Sequence, residues 1–354
     1  MSTSKNNGKT RVAVVGVGRM GRHHARVYAE MPEVELVAVV DGDTDRREDA
    51  AEARNCAALE TVDELLAAGV DAATIAVPTV HHLAAAKPLL EAGVSCLIEK
   101  PLAPDAETAE ELKRLAEASG AVLQVGHTER YNPAVRALDA ERARAESEGR
   151  PAIHPRFIEV HRVSPMTFRS VDVGVVFDMM IHDLDVVLNL VGGMDPSDVQ
   201  AAGVSVLTPH EDVANARLTF DTPAGPCIAN ITASRLAFKT ERKIRIIAED
   251  AYVSIDYAAK SGVLVRRTAN EVQLSEVQQA LREGKDLSDL DYHELVAIEQ
   301  LEIDDAEPLR AQAEDFIHAV TTGAHPPVDA AAGLAAVKAA QRITEAVRAT
   351  TATA

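Results

Sequence analysis

The feature that most constrains this chain is an alternation. Between Arg11 and Gly126, short β-branched runs recur: RVAVVG (11–16), VELVAVVD (34–41), DAATIAVP (71–78), SCLIEK (95–100) and AVLQVG (121–126). Helix-patterned stretches at 21–30, 44–54, 81–92 and 105–118 separate them. The runs do not alternate polar with apolar residues, so each strand needs cover on both faces, and the intervening helices supply it. Right-handed crossovers then make this half an α/β unit, a doubly wound parallel sheet.

Beyond Gly126 the pattern changes. A helix over 133–148 runs to Gly149, a residue suited to end it. FIEVHRV, VQAAGVSVL, VANARLTFD, PCIANITAS, KIRIIAE, YVSIDY and GVLVRR then follow as strands, with one helix (177–191) between the first two. Strands in succession predict a large antiparallel or mixed sheet, hence a second domain of α+β type. Two helices, 308–322 and 329–349, close the chain. The expected organisation is a frayed tail over 1–10, the doubly wound domain over 11–127, an α+β domain over 128–322, and a final helix within 323–354 packing back on the first domain.

Charge and cysteine content narrow the functional classes. The 354 residues carry a net charge of −19 with no concentrated basic patch, which disfavours nucleic acid and anionic lipid as partners. Residues 270–307 hold twelve acids and two bases and read as a solvated excursion with one or two weak helices. No apolar run is long enough for a membrane span, and the N-terminus has no secretory pattern. Three separated cysteines, Cys56, Cys96 and Cys227, give neither a disulfide frame nor a metal site, which fits a reducing cytoplasm.

The most specific motif is Gly16-Val-Gly18-Arg19-Met20-Gly21, set between the first strand and the first helix. Gly16 permits a tight turn, Gly18 lets the backbone approach a pyrophosphate, and Gly21 allows close helix–strand packing. Asp41 ends the second strand, twenty residues past Gly21, where a carboxylate accepts from ribose hydroxyls and repels a 2′-phosphate. The expected cofactor is NAD, with Arg46 and Arg47 nearby as the features that would favour NADP.

Chemistry is expected at two further places. Glu99-Lys100-Pro101 ends the fourth strand run, so Lys100 falls in the crevice at the carboxyl edge of the sheet, where it can polarise a substrate hydroxyl. Pro101 keeps Lys100 out of the helical region and aims it. On the helix 177–191, Asp178, His182, Asp185 and Asn189 step along one face. Asp178 and His182 form a carboxylate–imidazole pair of the kind that takes a hydroxyl proton, with Asp178 holding the ring.

Taken in order, GVGRMG, Pro78 followed by His82, the EKP at 99–101, GHTERYNPAV at 126–135 and Asp178-xxx-His182 resemble the Gfo/Idh/MocA oxidoreductase family over nearly the whole chain. The resemblance implies an N-terminal Rossmann domain and a site where Lys100, Asp178 and His182 face the nicotinamide, with Pro78, His82 and Glu99 close to the cofactor. It also implies an open second sheet that mediates a homodimer or homotetramer. Within the family, ERYNPAV and HRVSPMTFRSVDVGVVFDMMIHDLDV are similar to the nucleotide-sugar 3-dehydrogenases. These oxidise the C3 hydroxyl of a UDP-amino sugar such as UDP-N-acetylglucosamine, ahead of an aminotransferase in lipid A or surface-glycan synthesis. An anionic diphosphate needs cations, and Arg162 and Arg169, just before the helix, have the planar fork that suits phosphate oxygens. Asn132 can donate to sugar or cofactor amides, and Tyr131 can donate a proton. The alternatives are a dehydrogenase of a free sugar or inositol and a non-catalytic regulator that binds NAD and a sugar.

Overall fold

The computed structural model describes residues 8–168, 173–288 and 290–352. The first sheet contains β1 (Thr10–Val15), β2 (Val34–Val40), β3 (Ala57–Leu59), β4 (Ala72–Ile75), β5 (Ser95–Glu99) and β6 (Leu123–Gly126). Its order is β3-β2-β1-β4-β5-β6, all parallel. Helices α1 (Arg19–Ala29), α2 (Thr44–Arg54), α3 (Val62–Ala68), α4 (His82–Glu91) and α5 (Ala106–Ser119) connect the strands. The chain leaves β1 rightward and returns leftward, so a crevice opens between β1 and β4 at the carboxyl edge, where such sheets bind ligands. The short β3 and α3 escape the sequence reading because AAL and VDELLAA are too brief for a period to emerge.

α6 (Pro133–Ser147) leads into the second sheet, and Gly149 after it sits at φ +66°. The strands are β7 (Pro155–Val163), β8 (Asp198–Val204), β9 (Val213–Thr222), β10 (Gly225–Ser234), β11 (Glu241–Ala248), β12 (Ala251–Asp256), β13 (Ser261–Arg267) and β14 (Val296–Gln300). They order as β14-β13-β12-β11-β7-β10-β9-β8, with β7 and β10 parallel and every other pair antiparallel. This is a mixed sheet of eight strands beside a parallel sheet of six. α7 (Ile181–Leu190), entered through a π-helical turn at Val176–Met180, packs on β7. The acidic segment holds α8 (Glu271–Arg282) and, against expectation, the edge strand β14; its acids in VAIEQLEID hide the strand pattern.

Two terminal helices join the halves. α9 (Pro308–Thr322), expected with the second domain, instead buries Leu309, Ala313, Phe316 and Ile317 in the core that also holds Val12, Val14, Tyr28 and Val39. Burial of Leu309, Phe316 or Ile317 contributes about 1.5–3 kcal/mol each. α10 (Ala330–Ala352) packs on α5 and β6 of the first sheet and on α7 and β8 of the second, so it ties both units rather than only the first. Among the described residues no helix is long and apolar enough to cross a membrane.

Candidate active site

A cleft of about 890 Å³ lies at the carboxyl edge of the first sheet and is closed on its far side by the second domain. Its first wall is mostly backbone. Gly16 sits at φ +87°, and a Cβ there would stand 2.8 Å from the backbone of Ala76 on the neighbouring strand end. A Cβ on Gly21 would fall 1.8 Å from the Gly16 carbonyl oxygen, so helix and loop touch only because both are glycine. Gly18 caps α1 with no side-chain hydrogen bond, and a Cβ there would meet nothing within 4 Å. The helix N-terminus thus presents free N–H groups to open space, an arrangement suited to a pyrophosphate. Arg19, Met20 and Pro78 line the same wall.

Asp41 lies at the end of β2. Its Oδ2 accepts from the Val17 N–H at 2.9 Å, and its Oδ1 accepts from the Asp43 N–H and Arg46. Partial burial opposes ionisation, but those donors hold the carboxyl below its usual range. An ionised carboxylate here fits the ribose of NAD.

Glu99 and Lys100 come off the end of β5. The Glu99 carboxylate contacts the wholly buried His24 Nε2 at 2.8 Å, and its other oxygen accepts from the Lys100 N–H. Burial raises the Glu99 pKa, while His24 and the Lys100 charge more than offset it, leaving the group ionised. The His24 contact was not legible: two turns of helix geometry and a crossover bring together residues 75 positions apart. Lys100 Nζ donates to the Asp178 carbonyl oxygen at 2.8 Å and stands 3.8 Å from its Oδ1. Burial lowers the Lys100 pKa against the pull of Asp178 and Glu99.

The helix above carries Asp178 and His182 to the cleft. The expected Asp178–His182 contact is not formed. Asp178 lies in the π-helical turn, whose wider winding breaks the α-helical i,i+4 stacking, and its carboxylate leans on Lys100 instead. His182 Nδ1 is buried with no hydrogen-bond partner among the described residues. Burial, then the nearby charges of Lys100 and Arg162, depress the His182 pKa far below the ordinary imidazole value. The ring is neutral and able to accept a proton. The polar stripe also divides: Asp185 turns inward to Arg130 at 2.8 Å and is buried.

Other expected site residues have structural tasks. Arg162 is only 3% exposed; Asp183 accepts from its Nε and Nη2, Glu129 accepts from its Nη1 at 2.9 Å, and its guanidinium lies over the Tyr257 ring. Burial opposes its charge, but the two carboxylates keep it protonated more firmly than usual. It lines the cleft with its charge already paired to two carboxylates. Asn132 caps α6, accepting from the Ala134 N–H and donating to Glu129, and lies outside the cleft lining. Tyr131 is buried, its hydroxyl accepting from Gln124. His82, also buried, lies within hydrogen-bond distance of the Val77 and Leu102 carbonyls, clamping the loops behind the cleft instead of lining it. Arg169 falls outside the described residues. In return the cleft wall includes Thr128, Met179, Arg235 and Arg242, none singled out by the sequence. Among the described residues no cluster of three or more metal-ligating side chains occurs.

Comparison with known proteins adds to this geometry. Residues 10–127 match the family model described as oxidoreductase family, NAD-binding Rossmann fold, and residues 156–254 match the GFO/IDH/MocA C-terminal domain. The chain is 36% identical over 341 residues to a UDP-N-acetylglucosamine 3-dehydrogenase from Acidithiobacillus ferrooxidans, covering 96% of this chain and 97% of that protein. A solved structure of that enzyme superposes with a TM-score of 0.82 at 34% identity, covering 96% of this chain and 98% of that one. The myo-inositol dehydrogenase Hyg17 of Streptomyces leeuwenhoekii is 38% identical over 184 residues, 51% of this chain and 55% of its own. The WlbA dehydrogenase of Bordetella pertussis, solved with NADH and UDP-GlcNAcA, shares the fold at 19% identity and a TM-score of 0.77, covering 97% of each chain.

Proposed function

We propose that this chain, which belongs to the Gfo/Idh/MocA family of NAD-binding oxidoreductases, oxidises the C3 hydroxyl of UDP-N-acetylglucosamine to the 3-keto sugar. The observation that carries the reading is the placement of His182 and the Lys100–Asp178 pair in the same cleft as the Gly16–Gly21 loop. The near-complete coverage of the Acidithiobacillus enzyme supports the choice of substrate.

Gly16, Gly18, Arg19, Met20 and Gly21 would hold the NAD pyrophosphate, Asp41 the ribose, and Pro78 and Glu99 the cleft floor. When bound, NAD supplies the acceptor for the hydride that leaves C3. His182 accepts the C3 hydroxyl proton and, being kept neutral by burial, is ready to do so at neutral pH. Lys100 donates to the same oxygen, weakening its hold on the proton, while Asp178 fixes the ammonium through its carbonyl and carboxylate. Asp178 is thus a positioning residue for Lys100. Orientation of the reacting carbon by these groups contributes much of the rate effect. A ketone on the sugar calls for an amine donor, so an aminotransferase is the expected neighbour, and the open second sheet is the expected surface for a homo-oligomer.

The test is NADH formation with UDP-N-acetylglucosamine, coupled to an aminotransferase because oxidation of a secondary alcohol by NAD is uphill. Turnover with the nucleotide sugar and none with free N-acetylglucosamine or myo-inositol is expected. The partial identity with Hyg17 favours a second reading, a polyol dehydrogenase. Turnover on the free polyol alone would select it, and inactivity on every substrate would point to the regulator.

A further inference from the structure

We propose that Arg242, rather than Arg162, is the cation that takes the diphosphate of the substrate and so makes the site select a nucleotide sugar over a free one. The inference rests on the nucleotide-sugar reading above and names the residue behind it.

Arg162 on β7 and Arg242 on β11 are direct partners in the antiparallel ladder, so both side chains leave the same face of the sheet. Like charges placed directly opposite repel unless carboxylates stand between them. Here the carboxylates are shared unequally. Asp183 and Glu129 both accept hydrogen bonds from Arg162, whose side chain is 4% exposed. Arg242 reaches the same Glu129 oxygen only at 3.8 Å, beyond hydrogen-bonding range, and 47% of its side chain is open. Glu129 is its only anionic partner within 4 Å among the described residues.

Among the described residues, the remaining guanidinium on this wall is committed elsewhere: Arg235 donates to Asp212, Thr208 and the Val173 carbonyl. Arg242 therefore brings to the cleft a positive charge whose N–H groups form no hydrogen bond to the described residues of the wall. Its fork geometry suits two phosphate oxygens at once. It also stands near enough to His182 for its charge to reach that ring, though burial, Lys100, Arg162 and His127 act on the ring more strongly. In the substrate, the glycosidic phosphate is attached at C1, two ring carbons from the reacting C3, so a cation close to the base is where the diphosphate needs one. A protein of net charge −19 would otherwise repel that anion.

The experiment compares the wild-type protein with Arg242→Gln and Arg242→Lys, all saturated with NAD. Two readouts are used: thermal stabilisation by UDP against uridine, and the KM and kcat for UDP-N-acetylglucosamine. In the wild type, UDP should stabilise and uridine, which has no phosphate, should not. Arg242→Gln should lose the UDP effect and raise KM about 10- to 100-fold, with kcat within about threefold, the scale of a lost charge-assisted hydrogen bond. Arg242→Lys should recover part of the loss, since it keeps the charge but not the fork. Unchanged stabilisation by NAD shows that each variant is folded. If Arg242→Gln keeps the wild-type UDP shift and KM, the assignment is overturned while the nucleotide reading stands. If the wild type itself does not distinguish UDP from uridine, the nucleotide reading fails and takes the assignment with it.

Discussion

The two walls of the cleft are built from different materials. On the first-domain side, the surface facing the cofactor is largely main chain: a loop at φ +87°, two glycines that touch because neither has a side chain, and a helix end with free N–H groups. On the second-domain side, the surface is side chains whose charges cancel in part: Arg162 against Asp183 and Glu129, Arg235 against Asp212, and Asp178 against Lys100 of the first domain. A backbone surface is set by local conformation and tolerates few residue types. A surface of charges is set by which partners arrive from elsewhere in the fold, and its residues can be recruited for stability or for binding.

The sharpest way to separate the walls is His182→Ala. It should lower kcat by about 10²- to 10⁴-fold, the usual loss on removing a positioned general base, while the dissociation constant for NAD stays within about twofold. Steady-state kinetics beside a fluorescence titration with NAD measures both; a parallel loss of NAD affinity would mean that the walls are not independent. Asp183→Ala tests the charge-built wall for stability. It leaves the Arg162 guanidinium buried with Glu129 alone, and should cost about 3–5 kcal/mol in urea unfolding. A cost under about 1 kcal/mol would mean that water or motion relieves the cation.

Gly16→Ala tests the backbone wall. A left-handed conformation costs a non-glycine residue about 1–2 kcal/mol, and here the added Cβ also meets the Ala76 backbone at 2.8 Å. NAD affinity should fall at least about tenfold, with the near-neutral acid–base behaviour of the site unchanged. The last effect concerns pH. His82, His127 and His182 all have pKa values lowered by burial, so below the ordinary imidazole value of about 6.5 the unfolded chain binds protons that the folded chain refuses. Stability is therefore fully present above that value and is lost as pH falls through it, by up to about 1.4 kcal/mol per pH unit for each histidine. Urea titrations at about pH 7.5 and about pH 5.5 should show the drop. His182→Asn should remove part of it, and a flat profile would contradict the burial of the rings.

The sequence was most legible where local pattern decides structure. Five of the six strands of the first sheet follow from unbroken apolar runs, the glycine loop from its spacing, and Lys100 from its place at a strand end before a proline. The placement of Asp178 and His182 on one helix was readable too, but not their relation. A single π-helical turn moved Asp178 from the imidazole to the lysine, and no residue type in VFDMM announces such a turn. β14 was missed because an acidic edge strand lacks the apolar alternation that marks a strand.

What the sequence by itself determined is therefore the parallel sheet, its glycine-lined turn, and the residue types brought to its carboxyl edge, because all three depend on short-range sterics and periodicity. Tertiary structure decided what the polar residues do. Asn132, Tyr131 and His82 turned to capping, packing and clamping, and Arg162 was neutralised by Glu129 and Asp183, 33 and 21 positions away. Arg242, unremarkable in the string KTERKIR, was left with an open guanidinium because its ladder partner had taken the carboxylates. The physical reason is that a charge acquires its role from what lies within a few ångströms of it. Chain order does not encode that neighbourhood until the second sheet has folded onto the first.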